Sequence, residues 1–241
     1  MEVKACIFTD AGKVRRINQD SAMIKVANTQ RHGRISFAAV CDGVGGLSKG
    51  EVASCKMIRA LEGWFMEELP LMQNLEPQRL WDTAQTSLLR LIARTGGEIR
   101  RYGRHRGIKL GTTLTALLQI GYDYMTINVG DSRIYLIDSK EAHQVTLDQS
   151  AGENVLLQSV GGTLDVKPEV RKGTIAGDTT VLAVSDGFWR KLGEKEIHDK
   201  LCPQMCVSDR DMLDQCRKLF DLAIERKEED NISVAAMCLL V

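Results

Sequence analysis

The sequence predicts an α+β fold in which helices cover packed antiparallel sheets. Predicted strands occur in runs rather than in regular alternation with helices, and two early segments carry apolar residues at helical spacing. A doubly wound parallel sheet would need helices between its strands, and residues 112–185 lack them. No linker, repeat or low-complexity tract divides the chain, so we expect one domain over residues 1–241.

The first part of the chain predicts three strands followed by two helices. The strands are expected at residues 2–9, 21–28 and 35–41, and the third is a nearly continuous apolar run typical of a buried strand. Helices are expected at residues 50–69 and 77–101, where apolar side chains recur every three or four positions. Each helix therefore has one face to bury.

The rest of the chain is rich in β-branched and apolar segments separated by turn residues. The expected strands are 112–120, 122–129, 132–138, 142–147, 168–175, 179–185 and 232–240. One or two helices are expected within residues 194–225.

The charge balance gives no electrostatic reason to expect a nucleic-acid or membrane partner. Lys and Arg total 32, as do Asp and Glu, so the formal net charge is zero. The best candidate for a local basic patch is Arg100, Arg101, Arg104 and Arg106. We interpret this run as a solvated helix end and loop.

The expected location is the cytoplasm. The first residues lack the apolar core of a signal peptide, and no apolar stretch approaches the roughly 20 residues that span a bilayer. The seven cysteines are an odd, scattered set that suits a reducing compartment. We expect a cytoplasmic monomer.

Three aspartates stand at the ends of predicted buried strands. Asp42 and Asp186 each follow an apolar strand and precede a glycine, and Asp230 directly precedes the last strand. Magnesium and manganese take octahedral shells of carboxylate, carbonyl and water oxygens. Two such ions about 3.5–4 Å apart can activate a bridging hydroxide against a phosphate. A lone Asp-Gly pair is typical of an ordinary turn, so the prediction of a metal site depends on the combination.

Six segments, taken in chain order, strengthen this interpretation. They are TDAGKVRRINQD (9–20), VCDGVGG (40–46), GTT (111–113), NVGDSR (128–133), SDG (185–187) and DNIS (230–233). In this order and spacing the chain resembles the metal-dependent protein phosphatase family, the type 2C serine/threonine class, in its bacterial form. The resemblance implies a four-layer αββα sandwich of two antiparallel sheets flanked by helices, which agrees with the element order above.

The resemblance also implies a metal centre. Asp42, the carbonyl of Gly43, Asp186 and Asp230 would bind two ions of manganese or magnesium, and Asp131 matches the position of a third, weaker ion. A hydroxide that bridges the two central ions would attack the phosphorus of phosphoserine or phosphothreonine, with Asp42 and Asp186 as catalytic ligands.

Further roles follow from the same resemblance. Asp20 would contact metal-bound water, and Arg15 would be a catalytic residue that clamps the substrate phosphate through its guanidinium. Arg16 is the alternative if the register shifts by one residue. The implied partners are phosphorylated proteins and a cognate serine/threonine kinase.

The sequence departs from the family pattern in four places. Val44 stands where some members have a histidine, and Gln19 where others have a glutamate. Arg190 replaces a carboxylate of the third metal site, which leaves open whether a third ion binds. Residues 148–154 fill the place where members usually insert a helical flap, so we expect a missing or minimal flap and a more open site.

Two other functions remain open from the sequence. The segment at residues 43–48 follows a strand like a dinucleotide-binding glycine loop, but Ser48 replaces the third glycine and Asp42 would face a pyrophosphate. A catalytically inactive binding module with the same fold is the second alternative. Three clustered carboxylates argue against it, because like charges brought together are costly to maintain.

Overall fold

The computed structural model of the protein describes residues 1–44, 49–152 and 155–241. Within these residues, two antiparallel sheets pack face to face and helices cover their outer faces. The layers therefore run helix, sheet, sheet, helix, and the predicted αββα sandwich is confirmed.

Strands outnumber helices within the described ranges. In chain order, the strands are β1 (Glu2–Asp10), β2 (Ser21–Thr29), β3 (Gly33–Cys41), β4 (Gly43–Val44), β5 (Gly111–Thr112), β6 (Leu114–Ile120), β7 (Asp123–Val129), β8 (Arg133–Ile137), β9 (Ala142–Gln144), β10 (Glu169–Thr174), β11 (Thr179–Val184) and β12 (Ile232–Leu240). The α-helices are α1 (Gly50–Gly63), α2 (Pro77–Arg106), α3 (Asp186–Trp189), α4 (Glu194–Leu201) and α5 (Asp209–Glu225).

Each sheet combines strands that are distant in the chain. The first sheet has the order β1-β12-β11-β8-β9, and the second has the order β10-β7-β6-β3-β2. All their neighbouring strands pair antiparallel. The short strands β4 and β5 pair separately as a two-residue ribbon. The last strand thus lies inside the first sheet, between β1 and β11.

Strand β3 shows why its sequence is apolar almost without interruption. Successive side chains of a strand point to opposite faces. Phe37, Ala39 and Cys41 pack in the core shared with α1 and α2, whereas Ala38 and Val40 pack between the two sheets. Both faces of this strand are covered, so both sets of alternating positions are apolar.

Strand β11 is buried in the same way. Leu182 and Val184 contact the core beneath α4 and α5, and Val181 and Ala183 face the second sheet. The two apolar strands that end in Asp42 and Asp186 are therefore held on both sides, which fixes the direction in which each strand ends.

The predicted strand at 112–120 is divided at Thr113. The amide of Thr113 donates to the carbonyl of Asp42 at 2.8 Å, and its Oγ1 accepts from the amide of Asp42 at 2.9 Å. Thr113 therefore bonds to Asp42, the residue that follows β3, and it separates β5 from β6 instead of joining them into one strand.

Several predicted boundaries also differ from those observed. The first helix is α-helical only to Gly63 and continues as a π-helical and a 3-10 segment to Met72. Helix α2 extends to Arg106 and ends at Gly107, whose φ of 65° is left-handed. The predicted strand at 142–147 is shorter, because only Ala142–Gln144 pair with β8.

The region at 194–225 contains two helices, which was one of the two predicted alternatives. Helices α4 and α5 are separated by a 3-10 turn at Pro203–Met205, and Ser208 caps α5 by accepting from the amide of Asp211 at 3.1 Å. The one-turn helix α3 was not predicted. In the three described ranges, no helix is both long and apolar enough to cross a bilayer.

Phe37 provides a test of this packing. It is buried, and its ring lies 5.7 Å from that of Trp64 and 6.3 Å from that of Phe65, centroid to centroid. We expect Phe37→Ala to lower the free energy of unfolding by about 3–5 kcal/mol in urea titrations, because it leaves a cavity. Leu71→Ala is the control. Because Leu71 is 83% exposed, this substitution should lower the free energy of unfolding by less than about 0.5 kcal/mol. Equal losses for the two variants would contradict this account of the core.

Candidate active site

The structure brings the predicted aspartates to one end of the sandwich. Asp42 follows β3, Asp186 follows β11 and begins α3, and Asp230 precedes β12. The negative charges of Asp20, Asp186, Asp230 and Asp131 all act on Asp42 and help to raise its pKa. Residues from separate parts of the chain thus form one acidic group.

Threonine side chains hold Asp42 in place. Thr112 Oγ1 donates to the Asp42 carbonyl at 2.9 Å, in addition to the bond that the Thr113 amide donates and the one that Thr113 Oγ1 accepts. Thr113 Oγ1 also lies 2.8 Å from the hydroxyl of Ser132. The GTT and NVGDSR segments therefore form the support of Asp42.

Gly43 is required by close packing. Its amide donates to the carbonyl of Gln19 at 3.1 Å. A Cβ at this position would lie 2.6 Å from that same oxygen and would also overlap the backbone of Gly50. The Asp-Gly pair is thus a point where three chain segments meet, which only glycine allows.

Asp186 is held by a similar arrangement. Ser185 Oγ accepts from the amide of Ser233 at 2.9 Å, and the amide of Ser185 donates to the Ser233 carbonyl at 3.0 Å. A Cβ on Gly187 would overlap the carbonyl of Asn231. The SDG and DNIS segments therefore interlock, and they bring Asp186 beside Asp230.

Asp20 is buried at the centre of this group. Burial raises its pKa to about 6, and the charge of Asp230 adds to the shift. The hydroxyls of Ser233 and Ser185 interact with it and lower the pKa. Neither of its carboxylate oxygens has a hydrogen bond of normal geometry within the described part of the chain.

Asp42 and Asp186 are shifted in the same direction. Burial raises the pKa of Asp42 well above its usual range, and the neighbouring aspartates add to the effect. Burial raises the pKa of Asp186 to about 7, and the positive charge of Arg190 opposes the shift. Oδ1 of Asp186 also has no hydrogen-bond partner among the described residues. The group is therefore short of positive charge.

The donor set fits hard divalent cations. Four buried carboxylate oxygens lack a hydrogen bond of normal geometry in the ranges that the structure covers: two on Asp20, one on Asp186 and Oε2 of Glu228. Carboxylate oxygens are the ligands that magnesium and manganese prefer. In the same ranges, no three His, Cys, Asp or Glu side chains are already arranged to hold one ion.

Arg15 lies at the rim of the acidic group. Its Nη2 donates to Oδ2 of Asp230 at 3.0 Å, and 54% of its side chain is exposed. Arg16 is exposed and makes no side-chain hydrogen bond or ion pair with any described residue. Of the two alternatives for the phosphate clamp, the structure therefore brings Arg15 to the site.

Asn231 holds the loop that carries Arg15. Its Nδ2 donates to the carbonyls of Ala11 and Ile17 at 3.0 and 3.2 Å, and its Oδ1 accepts from the amide of Gln19 at 2.8 Å. Sequence reasoning used Asn231 only as part of a motif and missed this role. Its position directly after Asp230 was the available signal.

Arg190 and Glu228 form a second feature that the sequence did not reveal. Arg190 contacts Asp186 and also pairs with Glu228, whose Oε1 is 3.5 Å from Nη1. The same Glu228 oxygen accepts from the amide of Asp230 at 3.0 Å. Glu228 is buried, so it links the cation beside Asp186 to the backbone that positions Asp230.

Asp131, predicted to bind a third ion, is at the edge of the group. It is buried, which raises its pKa, and its charge acts on Asp186. Its carbonyl accepts from Trp189 Nε1 at 3.1 Å, and the guanidinium of Arg133 lies 3.3 Å from the Trp189 ring. The binding of a third ion stays a prediction.

Two expectations fall partly outside the described residues. The dinucleotide alternative was based on the glycine loop at residues 43–48, and residues 45–48 of that loop lie outside the described residues. Of the flap region, residues 153–154 are not described, and the neighbouring residues 145–152 and 155–168 contain no helix. The described part of this region agrees with the expected absence of a helical flap.

Comparison with known proteins agrees with this geometry. A family model described as protein phosphatase 2C matches residues 13–220. The protein phosphatase PhpP of Streptococcus pneumoniae is 28% identical over 95% of this chain and 94% of its own length. The serine/threonine phosphatase stp of Listeria welshimeri is also 28% identical, over 94% of this chain and 92% of its own length.

One solved structure extends the comparison to the fold. The catalytic domain of the serine/threonine protein phosphatase PstP, in complex with two manganese ions, superposes with a TM-score of 0.74. The match covers 99% of both chains at 24% identity, so it supports the fold alone. The family match, the relatives and the acidic group at the strand ends lead to one conclusion: the chain belongs to the protein phosphatase 2C family and is a serine/threonine protein phosphatase.

Proposed function

We propose that this phosphatase hydrolyses phosphoserine and phosphothreonine in proteins with two divalent cations, manganese or magnesium. The observation that carries the proposal is the set of buried, unpaired carboxylate oxygens of Asp20 and Asp186 beside Asp42, in the described part of the chain. The manganese ions of the PstP catalytic domain support the choice of metal. Like charges buried with too few counter-ions are unfavourable, and divalent cations would remove that cost.

Asp42, the Gly43 carbonyl, Asp186 and Asp230 would hold the two ions, and Asp131 would hold a third. When bound, the ions supply Lewis-acid activation of a water nucleophile and neutralise phosphoryl charge. The positive charge of Arg190 acts on Asp131 as well as on Asp186, so an ion held by Asp131 would be bound more weakly.

Arg15 would bind the phosphoryl group of the substrate. Its guanidinium is half-exposed at the mouth of the site and is held close to Asp230. A guanidinium can present two parallel N–H donors to phosphate oxygens, which fixes the orientation of the phosphoryl group. Asp20 would accept a hydrogen bond from the attacking water, because neither of its oxygens has a hydrogen bond of normal geometry with the described residues.

The remaining parts of the proposal concern the cell. We propose that residues 1–241 act as one catalytic domain, as a monomer, in the cytoplasm. A cognate serine/threonine kinase would supply the phosphorylated proteins. Without a helical flap in the described residues, substrate choice would depend on the surfaces beside the metal site.

The first test is hydrolysis of p-nitrophenyl phosphate and of a phosphothreonine peptide with manganese, with magnesium and with a chelator. We expect turnover only with metal, and we expect Asp186→Ala to reduce kcat by at least about 100-fold, because it removes a metal ligand. Circular dichroism of Asp186→Ala checks that the variant is folded. A folded Asp186→Ala enzyme with the parent's kcat would show that the site is assigned wrongly.

The second test compares the two adjacent arginines. We expect Arg15→Ala to raise KM for the phosphothreonine peptide by about tenfold, since it loses a charge-assisted contact with the phosphate. Arg16→Ala is a matched control, because Arg16 is also exposed but makes no contact with the described part of the site. The reverse pattern, with only Arg16→Ala affected, would assign the clamp to Arg16.

The third test measures stability against pH in the metal-free protein. Asp20 and Asp186 have pKa values raised from 3.8 to about 6 and about 7. The folded state therefore binds more protons than the unfolded state, and the free energy of unfolding should fall as pH rises from about 4 to about 7. Thermal melts in chelator should show a falling Tm in this window, and manganese should restore it.

Removing one charge should relieve the same repulsion. We expect Asp42→Asn to raise the Tm of the metal-free protein at pH 7.5 by roughly 2–4 °C for each kcal/mol of repulsion removed. Asp165→Asn is the control, since Asp165 is exposed and lies outside the acidic group. If Asp42→Asn melted no higher than Asp165→Asn, the carboxylates would not repel one another as described.

A further inference from the structure

A cavity of about 470 Å³ lies beside the acidic site, between the last turns of α2 and the segment at residues 159–164. Arg100, Arg104 and Lys109 contribute positive charge to its wall, and Leu110 and Leu164 contribute apolar surface. Two of these cations belong to the basic run that the sequence suggested was only a solvated helix end. We call this cavity the α2 pocket.

The α2 pocket shares a wall with the metal site. Val44 lines the pocket and is two residues after Asp42, a separation of at most about 7 Å along an extended chain. Val44 pairs with Gly111, which also lines the pocket, while Thr112 donates to the Asp42 carbonyl. The ribbon of β4 and β5 therefore has the metal site at one end and the pocket at the other.

The charge of the pocket is opposite to that of the site next to it. The residues that line the pocket in the described part of the chain include no Asp or Glu. The side chains of Arg104 and Lys109 are exposed and make no hydrogen bond or ion pair with described residues. Arg100 donates to the Thr163 carbonyl at 2.7 Å and so fixes the opposite wall.

The pocket also has an apolar surface that is open to solvent. Leu164 is 82% exposed at its edge, although residues of this type are usually buried. Leu110 also lines the pocket and is itself buried. The combination of two exposed cations with exposed apolar surface fits a peptide segment that carries both acidic and apolar side chains.

We propose that the α2 pocket binds an acidic segment of the phosphoprotein substrate, next to the phosphorylated residue. The inference rests on the proposed function and adds a sequence preference to it. An extended peptide advances about 3.3 Å per residue, so residues two to four positions from a phosphothreonine in the metal site reach the pocket. Arg104 and Lys109 pair with carboxylates of the segment, and an apolar side chain packs against Leu164.

The test uses three phosphothreonine peptides that differ only in the flanking residues: glutamate with leucine, glutamine with leucine, and lysine with leucine. The parent should prefer the glutamate peptide in kcat/KM. In the double variant Arg104→Glu/Lys109→Glu, kcat/KM should fall about tenfold for the glutamate peptide and rise for the lysine peptide. Hydrolysis of p-nitrophenyl phosphate should change by less than about twofold, because this substrate is too small to reach the pocket.

Arg101→Glu is the matched control for charge. Arg101 is exposed on the same turn of α2 but does not line the pocket, so its reversal should leave the ranking of the peptides unchanged. Leu164→Ser tests the apolar contact. It should lower kcat/KM for all three peptides without altering their order. An effect of Arg101→Glu as large as that of the double variant would overturn the proposal. The peptide preference would then come from the electrostatic field of the whole protein and not from contacts in the pocket.

A binding measurement separates this inference from the proposed function. Fluorescence anisotropy of a labelled, unphosphorylated glutamate–leucine peptide should report binding to the metal-free parent that weakens with salt and is lost in the double variant. If the parent binds the peptide but shows no metal-dependent turnover, only the proposed function is refuted. Equal kcat/KM of the parent on the three peptides, with no binding, would refute only the α2 pocket.

Discussion

The structure depends on one electrostatic constraint, the confinement of several carboxylates at one end of a packed apolar sandwich. Burial raises the pKa of Asp20, Asp42 and Asp186, and the negative charge of Asp230 adds to the shift of all three. Such an arrangement lasts only if the surrounding structure opposes its relaxation. Both faces of β3 and β11 are covered, and the backbone bonds of Asp42 and Ser185 leave these strand ends little freedom.

Positive charge is distributed around this centre in a graded way. Arg190 lies inside, against Asp186 and the buried Glu228, and Arg15 lies at the rim with half of its side chain in solvent. The inner cation compensates the charge of Asp186, whereas in the proposed function the outer one exchanges Asp230 for the phosphate of the substrate. The α2 pocket, with Arg104, continues the gradient away from the site. A phosphorylated acidic segment would meet complementary charge over its whole length.

The sequence predicted the sandwich and the strand ends because apolar runs and Asp-Gly pairs are local patterns. The family and the phosphatase activity were predicted from ordered motifs and are confirmed, while the individual site roles stay predictions. The division of the strand at Thr113, the loop contacts of Asn231 and the pairing of Glu228 with Arg190 could not be predicted. Each depends on residues 38 or more positions apart, or on a close approach of backbones that no local pattern records.

The position of β12 inside the first sheet has a consequence for synthesis of the protein on the ribosome. β1 has no neighbour in its sheet until β12 has emerged, because β12 separates it from β11. The loop that carries Arg15 waits for the same event, since Asn231 holds it. A nascent chain therefore carries Asp42 and Asp186 before the loop of Arg15, the proposed phosphate clamp, is held in place, and the joining of that loop to the acidic group coincides with closure of the sheet.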